Sequence, residues 1–359
     1  MMWSTREDLY DTSQFKPPSF DDVLMVPSYT SVSSRLEPKT STILSNNFEL
    51  NIPVISSPMD TVTEEKMALS LGENGGLGIV HRFMSPQCQL GMLRAVYDGG
   101  IRPAFAVGVG AAERDRFNTI YSELGDKISW VSIDVANGHS EYMGEMLSWV
   151  KERVSEETSV MAGNVATGLG YLYLSDRGAD AVRVGIGGGS ICKTRIMTGY
   201  GVPTLYSVLD CHRVRMNHKA NASIIADGGI RYPADLVKSI AAGADAVMAG
   251  RIFAGTLESP GETVIIGGAS YKTYRGMASK EVQDDRRGGL RPGTCAEGVS
   301  THIPLKGKAR YILSEFSGGL RSAMTYAGAR SITEFREMAR FIRVSQASLD
   351  ESHAFGTKL

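Results

Sequence analysis

Eight short apolar segments recur along the chain, and their regular spacing constrains the fold more than any other feature of the sequence. The segments are rich in β-branched residues, and stretches with the pattern of amphipathic helices lie between them, several of which end at glycine. Short, wholly apolar strands that alternate with helices are typical of a parallel sheet buried on both faces. The eight segments are residues 53–58, 76–81, 104–109, 130–136, 159–165, 181–186, 222–226 and 246–249.

Eight such units fit a closed barrel better than an open doubly wound sheet, which rarely needs eight strands. We therefore predict an α/β fold in which residues 1–359 form one (β/α)8 TIM barrel. Residues 1–50 contain several prolines and read as an N-terminal arm wrapped on the barrel. Residues 256–307 form a polar insertion after the eighth strand, where barrels build active sites, so we expect an active-site lid there. Residues 309–342 return to a helical pattern and would close the outer ring.

Charge and cysteine content exclude several classes of protein. The formal net charge is −1, which indicates neither a nucleic-acid partner nor attraction to a membrane surface. No apolar run approaches the roughly 20 residues of a membrane span. The cysteines are far apart and lack the spacing of a zinc site, so free thiols in a reducing cytoplasm are expected. They are Cys88, Cys192, Cys211 and Cys295.

The most informative loop is residues 184–201, which read V-G-I-G-G-G-S-I-C-K-T-R-I-M-T-G-Y-G. Its glycines permit positive φ and close approach, so that backbone groups can face a ligand or an ion. Cys192 follows them, with Thr194 two residues on. An arbitrary cysteine is most often a small buried hydrophobe. A thiol beside a hydroxyl in a polar, glycine-rich loop, whose dipoles can lower the thiol pKa, instead indicates a nucleophile.

Glycine-rich sequences also follow the seventh and eighth predicted strands. Residues 226–231 read A-D-G-G-I-R and residues 249–251 read A-G-R. Barrels commonly hold a phosphate with the loops after these two strands, through glycine N–H groups and a helix N-terminus. The pattern predicts a phosphorylated ligand, with Asp227 accepting hydrogen bonds from sugar hydroxyls. A flavin phosphate would fit the same loops.

Six motifs taken together resemble the family of IMP dehydrogenase and GMP reductase, and the resemblance covers about residues 18–355. The family fold is a tetrameric (β/α)8 barrel, and both enzymes form a covalent bond between a purine and a cysteine. The resemblance thus implies a homotetramer that binds a purine nucleoside monophosphate. The motifs are P-V-I-S-S-P-M-D-T-V-T-E, D-V-A-N-G-H-S, M-A-G-N-V-A-T, G-I-G-G-G-S-I-C-K-T-R, A-D-G-G-I-R and Y-R-G-M-A-S.

The resemblance also implies roles for individual residues. Cys192 would attack C2 of the purine, and Thr194 and Glu297 would relay the proton to the leaving ammonia. The substrate would contact Ser190, Asp227, Gly228, Gly229, Gly250, Arg251, Gly276, Met277, Ala278 and Gly298. The dinucleotide would lie against Ser34, Arg35, Arg82, Asp134, Val135, Ala136, Ile186, Gly187 and Ser322. A potassium ion would be held by backbone carbonyls of Gly187, Gly189, Cys192 and Arg195.

Four features resemble the reductase. The chain passes from M-S-P-Q-C-Q to the third strand with no room for the paired CBS regulatory domain that most dehydrogenases insert. D-V-A-N-G and R-S-A-M-T-Y look like reductase sequences, and the short lid, residues 276–297, lacks the Arg-Tyr pair with which dehydrogenases activate water. Arg286 and Arg287 stand near the place of that pair. S-S-P-M-D-T-V-T-E and the tail V-S-Q-A-S-L-D-E-S-H look more like the dehydrogenase.

Because the features that bear on hydrolysis side with the reductase, the sequence favours an NADPH-dependent GMP reductase that converts GMP to IMP and ammonia. Arg82 stands where the reductase has lysine, which keeps a cation for an NADPH phosphate. Thr294 departs from the reductase, whose lid carries arginine there. One alternative is an IMP dehydrogenase without its CBS domain, which would use NAD to make XMP. Another is a nucleotide-binding barrel without turnover, although a binder has no use for a nucleophile.

Overall fold

The computed structural model describes residues 16–290 and 292–352. Three short strands in the N-terminal arm precede eight parallel strands, each paired with the next, and the last pairs with the first to close a barrel. The predicted α/β barrel and all eight of its strands are confirmed. The arm contains β1 (Val23–Met25), β2 (Thr42–Ser45) and β3 (Phe48–Leu50); the barrel contains β4 (Val54–Ser56), β5 (Leu77–Val80), β6 (Ala104–Val107), β7 (Trp130–Asp134), β8 (Ser159–Val165), β9 (Ala181–Val184), β10 (Ser223–Asp227) and β11 (Ala246–Ala249).

Helices follow the barrel strands and cover them from outside. Several begin at a serine or threonine that accepts a hydrogen bond from the first turn; Ser85, for example, accepts from the Cys88 N–H. In chain order they are α1 (Glu65–Glu73), α2 (Pro86–Asp98), α3 (Ala111–Leu124), α4 (Glu141–Lys151), α5 (Gly168–Ser175), α6 (Thr194–Thr198), α7 (Thr204–His218), α8 (Pro233–Ala241), α9 (Arg251–Ala254), α10 (Lys280–Arg287), α11 (Ala309–Ala327), α12 (Ile332–Met338) and α13 (Gln346–Asp350).

Alternate residues of each barrel strand belong to two different cores. In β6, Ala104 and Ala106 pack inside the barrel, whereas Phe105 and Val107 pack against the helices. Both faces are buried, which is why the strands read as continuous apolar runs. The interior core contains Ile55, Leu77, Ile79, Ala104, Ala106, Trp130, Met161, Ala181, Ile225, Ala246 and Met248.

The hairpin of β2 and β3 joins the interior core at the amino ends of the barrel strands. Leu44 and Leu50 are almost fully buried in that core, and the ring of Phe48 meets Trp130 edge-on at 5.7 Å between centroids. β1 pairs with a strand near the carboxyl end of the chain, β15 (Phe341–Arg343). Residues 1–15 of the predicted arm lie outside the described residues, and the remainder, residues 16–50, is held to the rest of the chain through two separate elements.

Two further segments complete the fold. The helix α11 packs against α1 and α8 and buries Leu313, Phe316 and Leu320. The segment predicted to be helical, residues 309–342, contains α11 and α12 but ends in the strand β15. The predicted lid folds as α10 together with an antiparallel sheet of three strands, β12 (Thr263–Ile266), β13 (Ala269–Arg275) and β14 (Ser300–Pro304). Within the described ranges, no helix has both the length and the apolar character needed to cross a membrane.

Candidate active site

A cavity of about 640 Å³ opens at the carboxyl ends of the barrel strands. Its wall includes residues of the loop 184–201, called the cysteine loop below, together with the ends of β7 and β10 and the segment after β11. Part of the lid also contributes, including Val282 and Gln283 of α10. A deep pocket at this end of a barrel is where catalytic groups are usually found, since they sit on the loops that follow the strands.

The three predicted catalytic residues meet in this cavity. The Cys192 thiol lies 3.2 Å from the Thr194 hydroxyl oxygen, and the Thr194 hydroxyl donates to a carboxylate oxygen of Glu297 at 2.8 Å. All three side chains are partly buried. The arrangement is a short chain of hydrogen bonds from a thiol to a carboxylate, which can move a proton in either direction.

Backbone pairing between the cysteine loop and the end of the lid creates this geometry. The Lys193 N–H donates to the carbonyl of Glu297 at 2.7 Å, and the Val299 N–H donates to the carbonyl of Ile191 at 3.1 Å. Gly298 lies between these bonds, and a Cβ there would come within 3.1 Å of the Ser279 nitrogen. The backbone of Gly276 and Ala278 lies almost as near, so a side chain at this position would crowd residues 276–279 of the lid, against which the segment that carries Glu297 packs.

An ionic cluster lies under the cavity. The Arg183 guanidinium donates to Asp134 at 2.6 Å and to Asp227 at 2.8 Å, and the Asn164 amide also donates to Asp227 at 2.8 Å. Burial alone would lower the pKa of Arg183, but the two carboxylates reverse that effect and raise it above its usual value. The bonds to Asp227 all use its Oδ2, which keeps Oδ1 as an acceptor for a ligand hydroxyl.

All of the residues predicted to bind substrate line this cavity: Ser190, Asp227, Gly228, Gly229, Gly250, Arg251, Gly276, Met277, Ala278 and Gly298. Tyr274, which the sequence did not reveal, is buried among them. Burial raises the pKa of Tyr274 to about 12, although a hydrogen bond with Ser190 acts in the opposite direction. Its phenol therefore stays protonated at neutral pH and can donate to an anionic ligand.

The residues predicted to bind the dinucleotide fall into two groups. Those that line the main cavity are Arg82, Asp134, Val135, Ala136, Ile186 and Gly187. Arg35 and Ser322 instead line a second cavity of about 540 Å³, together with Arg310 and Arg321. Ser34 lines neither of these two cavities; its backbone N–H donates to Glu37 at 3.0 Å. Within a single chain, only the first of these two groups therefore lines the cavity that contains the Cys192 thiol.

Arg82 is held in place at the wall of the main cavity. One guanidinium nitrogen lies 3.6 Å from Glu113, another donates to the carbonyl of Asp134 at 3.3 Å, and the group stacks over Phe83. Its Nε is buried and has no hydrogen-bond partner among the described residues. A cation held at the cavity wall fits an anionic ligand group.

The loop predicted to hold potassium offers backbone carbonyls rather than acidic side chains. The carbonyl of Gly189 accepts from the Cys192 N–H at 3.1 Å, and Gly187 has a φ of 82°. The side chain of Arg195 runs along Gly187 and donates to the carbonyl of Val202 at 2.7 Å. No group of three or more His, Cys, Asp or Glu suited to a metal occurs in the described residues. Backbone carbonyls such as those of this loop are the ligands that suit a monovalent cation.

The sequence reasoning missed Asn164, Arg183 and Tyr274. A signal for Arg183 was present, because a charged residue interrupts the apolar run A-V-R-V at a position with the same alternation as Ala181, which faces the barrel interior. Asp134 and Asp227 share that alternation with Trp130 and Ile225. The side chains of Arg286 and Arg287 lie outside the part of the chain that the structure describes.

Comparison with known proteins agrees with this architecture. A family model described as "IMP dehydrogenase / GMP reductase domain" matches residues 18–355. Inosine-5'-monophosphate dehydrogenases from Borreliella burgdorferi and Cryptosporidium parvum are each 34% identical to this chain; the alignments cover 93% and 95% of it, and 96% and 95% of the relatives. A crystal structure of a GMP reductase from Trypanosoma brucei in complex with guanosine 5'-monophosphate superimposes with a TM-score of 0.88 at 27% identity, covering 97% of this chain and 100% of that one.

The fold and the family model together define a (β/α)8-barrel oxidoreductase. The chain belongs to the IMP dehydrogenase / GMP reductase family.

Proposed function

We propose that the protein is an NADPH-dependent GMP reductase that converts GMP to IMP and ammonia. The observation that carries the proposal is the chain of hydrogen bonds from Cys192 through Thr194 to Glu297 inside a cavity with a glycine-rich phosphate region. One structural neighbour is a GMP reductase in complex with guanosine 5'-monophosphate, which supports the choice of nucleotide.

Cys192, Thr194 and Glu297 would each take part in a step of this reaction. Transfer of the thiol proton through Thr194 to Glu297 leaves a thiolate, which attacks C2 of the purine. The proton then returns from Glu297 to the departing amine, and ammonia leaves as a thioimidate forms on Cys192. NADPH supplies a hydride to C2, after which the C2–S bond breaks and IMP and the thiolate are released. The hydrogen bond between Thr194 and Glu297 supports a role for Glu297 in both proton transfers.

The path of the chain between α2 and β6 also supports the reductase. Only residues 99–103 separate these elements, so no regulatory domain interrupts the barrel there. Arg82, whose guanidinium lies at the cavity wall, is the residue we assign to a phosphate of NADPH, and we expect NADH to be a much poorer substrate because it lacks the additional phosphate.

A second candidate is an IMP dehydrogenase that lacks the CBS domain. It is favoured by the dehydrogenase relatives at 34% identity. That reaction oxidises IMP with NAD and then hydrolyses the adduct on Cys192 to XMP, which requires a base to activate water.

One experiment separates the two. The purified protein is incubated with GMP and NADPH, and separately with IMP and NAD, and the nucleotides are resolved by chromatography. We expect IMP and ammonia from the first mixture and little XMP from the second. Steady formation of XMP, with no oxidation of NADPH by GMP, would contradict the reductase and establish the dehydrogenase.

We also propose that the protein works as a homotetramer that binds potassium. Ile196 and Tyr200, near the end of the cysteine loop, are 80% and 78% exposed and would be covered by a second copy. A neighbouring copy would also explain why Arg35 and Ser322 lie away from the thiol. Light scattering after size exclusion tests the assembly.

Equal rates of turnover in potassium, sodium and lithium salts would contradict the cation site.

A further inference from the structure

Arg275 connects the barrel to the lid. It is the last residue of β13 and precedes the segment 276–278, which lines the main cavity. Its backbone N–H donates to the Thr61 hydroxyl at 3.2 Å, which fixes the start of its side chain against the loop after β4.

The guanidinium of Arg275 binds two carboxylates that belong to different parts of the molecule. Nε and Nη2 donate to one oxygen of Asp60 at 3.1 and 2.8 Å, and Nη1 donates to Asp285 at 2.6 Å. Asp60 follows Met59, a residue of the cavity wall on the barrel side. Asp285 lies on α10, whose Val282 and Gln283 form the wall on the lid side. One fork-shaped cation therefore spans the two sides.

The two carboxylates differ in how tightly they are held. The side chain of Asp60 is 11% exposed and that of Asp285 is 59% exposed. The other oxygen of Asp60 is buried and has no hydrogen-bond partner in the described part of the chain. Separating Asp60 from Arg275 would leave a poorly solvated charge, which is costly, whereas Asp285 can exchange its partner for water.

We propose that Arg275 is a positioning residue that holds α10 over the cavity, with Asp60 as its permanent anchor and Asp285 as the partner that releases. When the bond to Asp285 opens, α10 is held there mainly by the packing of Val282 and moves away from the thiol more often. The placement of α10 then determines how well Cys192 is shielded from solvent. The inference concerns the shape of the site and holds for either reaction of the family.

The test uses Asp285→Asn with Asp284→Asn as its matched control. Asp284 is the neighbouring carboxylate on the same helix and pairs with Lys280 within that helix at 2.7 Å, so its loss changes the helix charge equally without touching Arg275. Iodoacetamide, a neutral reagent, is applied without nucleotide, and alkylation of the Cys192 peptide is followed by mass spectrometry. This readout separates Cys192 from the exposed thiols of Cys88 and Cys295.

We expect Asp285→Asn to accelerate alkylation of Cys192 about 2- to 5-fold, the range that loss of a partly exposed ion pair can produce. Asp284→Asn should match the wild type, and both variants should keep the wild-type melting temperature within about 2 °C. Arg275→Lys, which keeps the charge but cannot bind both carboxylates through one planar fork, should resemble Asp285→Asn. High salt should accelerate alkylation of the wild type more than that of Asp285→Asn, because it screens the pair that the variant lacks.

Hydrogen exchange of the α10 backbone provides a second measurement that does not depend on thiol reactivity. Faster exchange in Asp285→Asn than in Asp284→Asn supports the proposal. The proposal is overturned if Asp285→Asn and Asp284→Asn show the same rate of Cys192 alkylation and the same exchange rate of the α10 backbone, whether or not both rates exceed those of the wild type. Because neither measurement uses a nucleotide, a failure here is distinguishable from a failure of the proposed reaction.

Discussion

The two ends of the barrel are built from different kinds of residue. At the amino ends of the strands, the hairpin of β2 and β3 places Leu44 and Leu50 in the interior core and Phe48 against Trp130. At the carboxyl ends, glycine loops surround a cavity of about 640 Å³, and an ionic cluster centred on Arg183 lies beneath it.

This contrast indicates that the fold separates stability from chemistry. Apolar burial at the amino end contributes free energy of folding without any demand on geometry around a ligand. The carboxyl end contains close backbone approaches, buried charges and the thiol of Cys192, the groups that we propose to serve binding and catalysis. Substitutions at the two ends should therefore change different measured quantities.

The largest effect is expected for Cys192→Ala at the carboxyl end. Turnover should fall at least about 1,000-fold because the covalent step is lost, while nucleotide affinity stays within about tenfold, since the phosphate loops are intact. Steady-state kinetics and calorimetric binding measure the two quantities. Cys88→Ala, which removes an exposed thiol, is the control. A variant at Cys192 that retains a tenth of the wild-type kcat would refute covalent catalysis at this residue.

At the amino end, Leu44→Ala should lower the free energy of unfolding by about 2–5 kcal/mol, because it leaves a cavity in the interior core. The kcat of the folded fraction should stay within about twofold, since Leu44 lies at the opposite end from the thiol. Urea unfolding and assays at low temperature make the measurement. Ile43→Ala, at a neighbouring position that is 68% exposed, serves as the control. A large loss of kcat in Leu44→Ala would show that the two ends are coupled.

A smaller effect at the carboxyl end is expected for Thr194→Val, which keeps the volume of the side chain but interrupts the hydrogen bonds between Cys192 and Glu297. We expect kcat to fall about 100-fold, the lower range for loss of general acid–base assistance. Thr198→Val, one turn further along α6, should stay close to the wild type. If both variants behave alike, the hydroxyl of Thr194 has no specific role in proton transfer.

The smallest effect is expected for Tyr274, a buried residue at the carboxyl end that contributes to stability. This residue therefore tests how completely stability and chemistry are separated between the two ends of the barrel. Its pKa is raised from 10.0 to about 12, so the fold favours the neutral phenol. That contribution is fully present below about pH 10 and is lost as the pH rises from about 10 to about 12. When the pH is raised from about 8 to about 11, the free energy of unfolding of Tyr274→Phe should fall by about 1 kcal/mol less than that of the wild type. Urea unfolding at the two pH values measures this difference.

Tyr171 also has a raised pKa because of burial, so the variant should remove only part of the alkaline destabilisation. Identical pH dependence of the wild type and Tyr274→Phe would mean that the phenol of Tyr274 is already exposed to solvent.

The alternation of residues along a strand explains how far the site was predictable. The sequence predicts Asp227 as a site residue because it ends a strand among glycines, and Asp227 lines the cavity. The run A-V-R-V predicts a buried strand but gives no direct indication that Arg183 belongs to the site. The same alternation that directs Ala181 into the barrel directs Arg183 toward Asp134 and Asp227.

The sequence by itself determined the number of barrel strands, because apolar periodicity is encoded over short stretches of chain. It also predicted a lid after the eighth strand and Cys192 as the candidate nucleophile, from local polarity and glycine content. Only the tertiary structure decided that Glu297 reaches Thr194, 103 residues away, and that Arg275 joins Asp60 to Asp285. Such contacts depend on how the barrel closes and where the lid returns to it. These are properties of the whole packed chain, and no local pattern of residues specifies them.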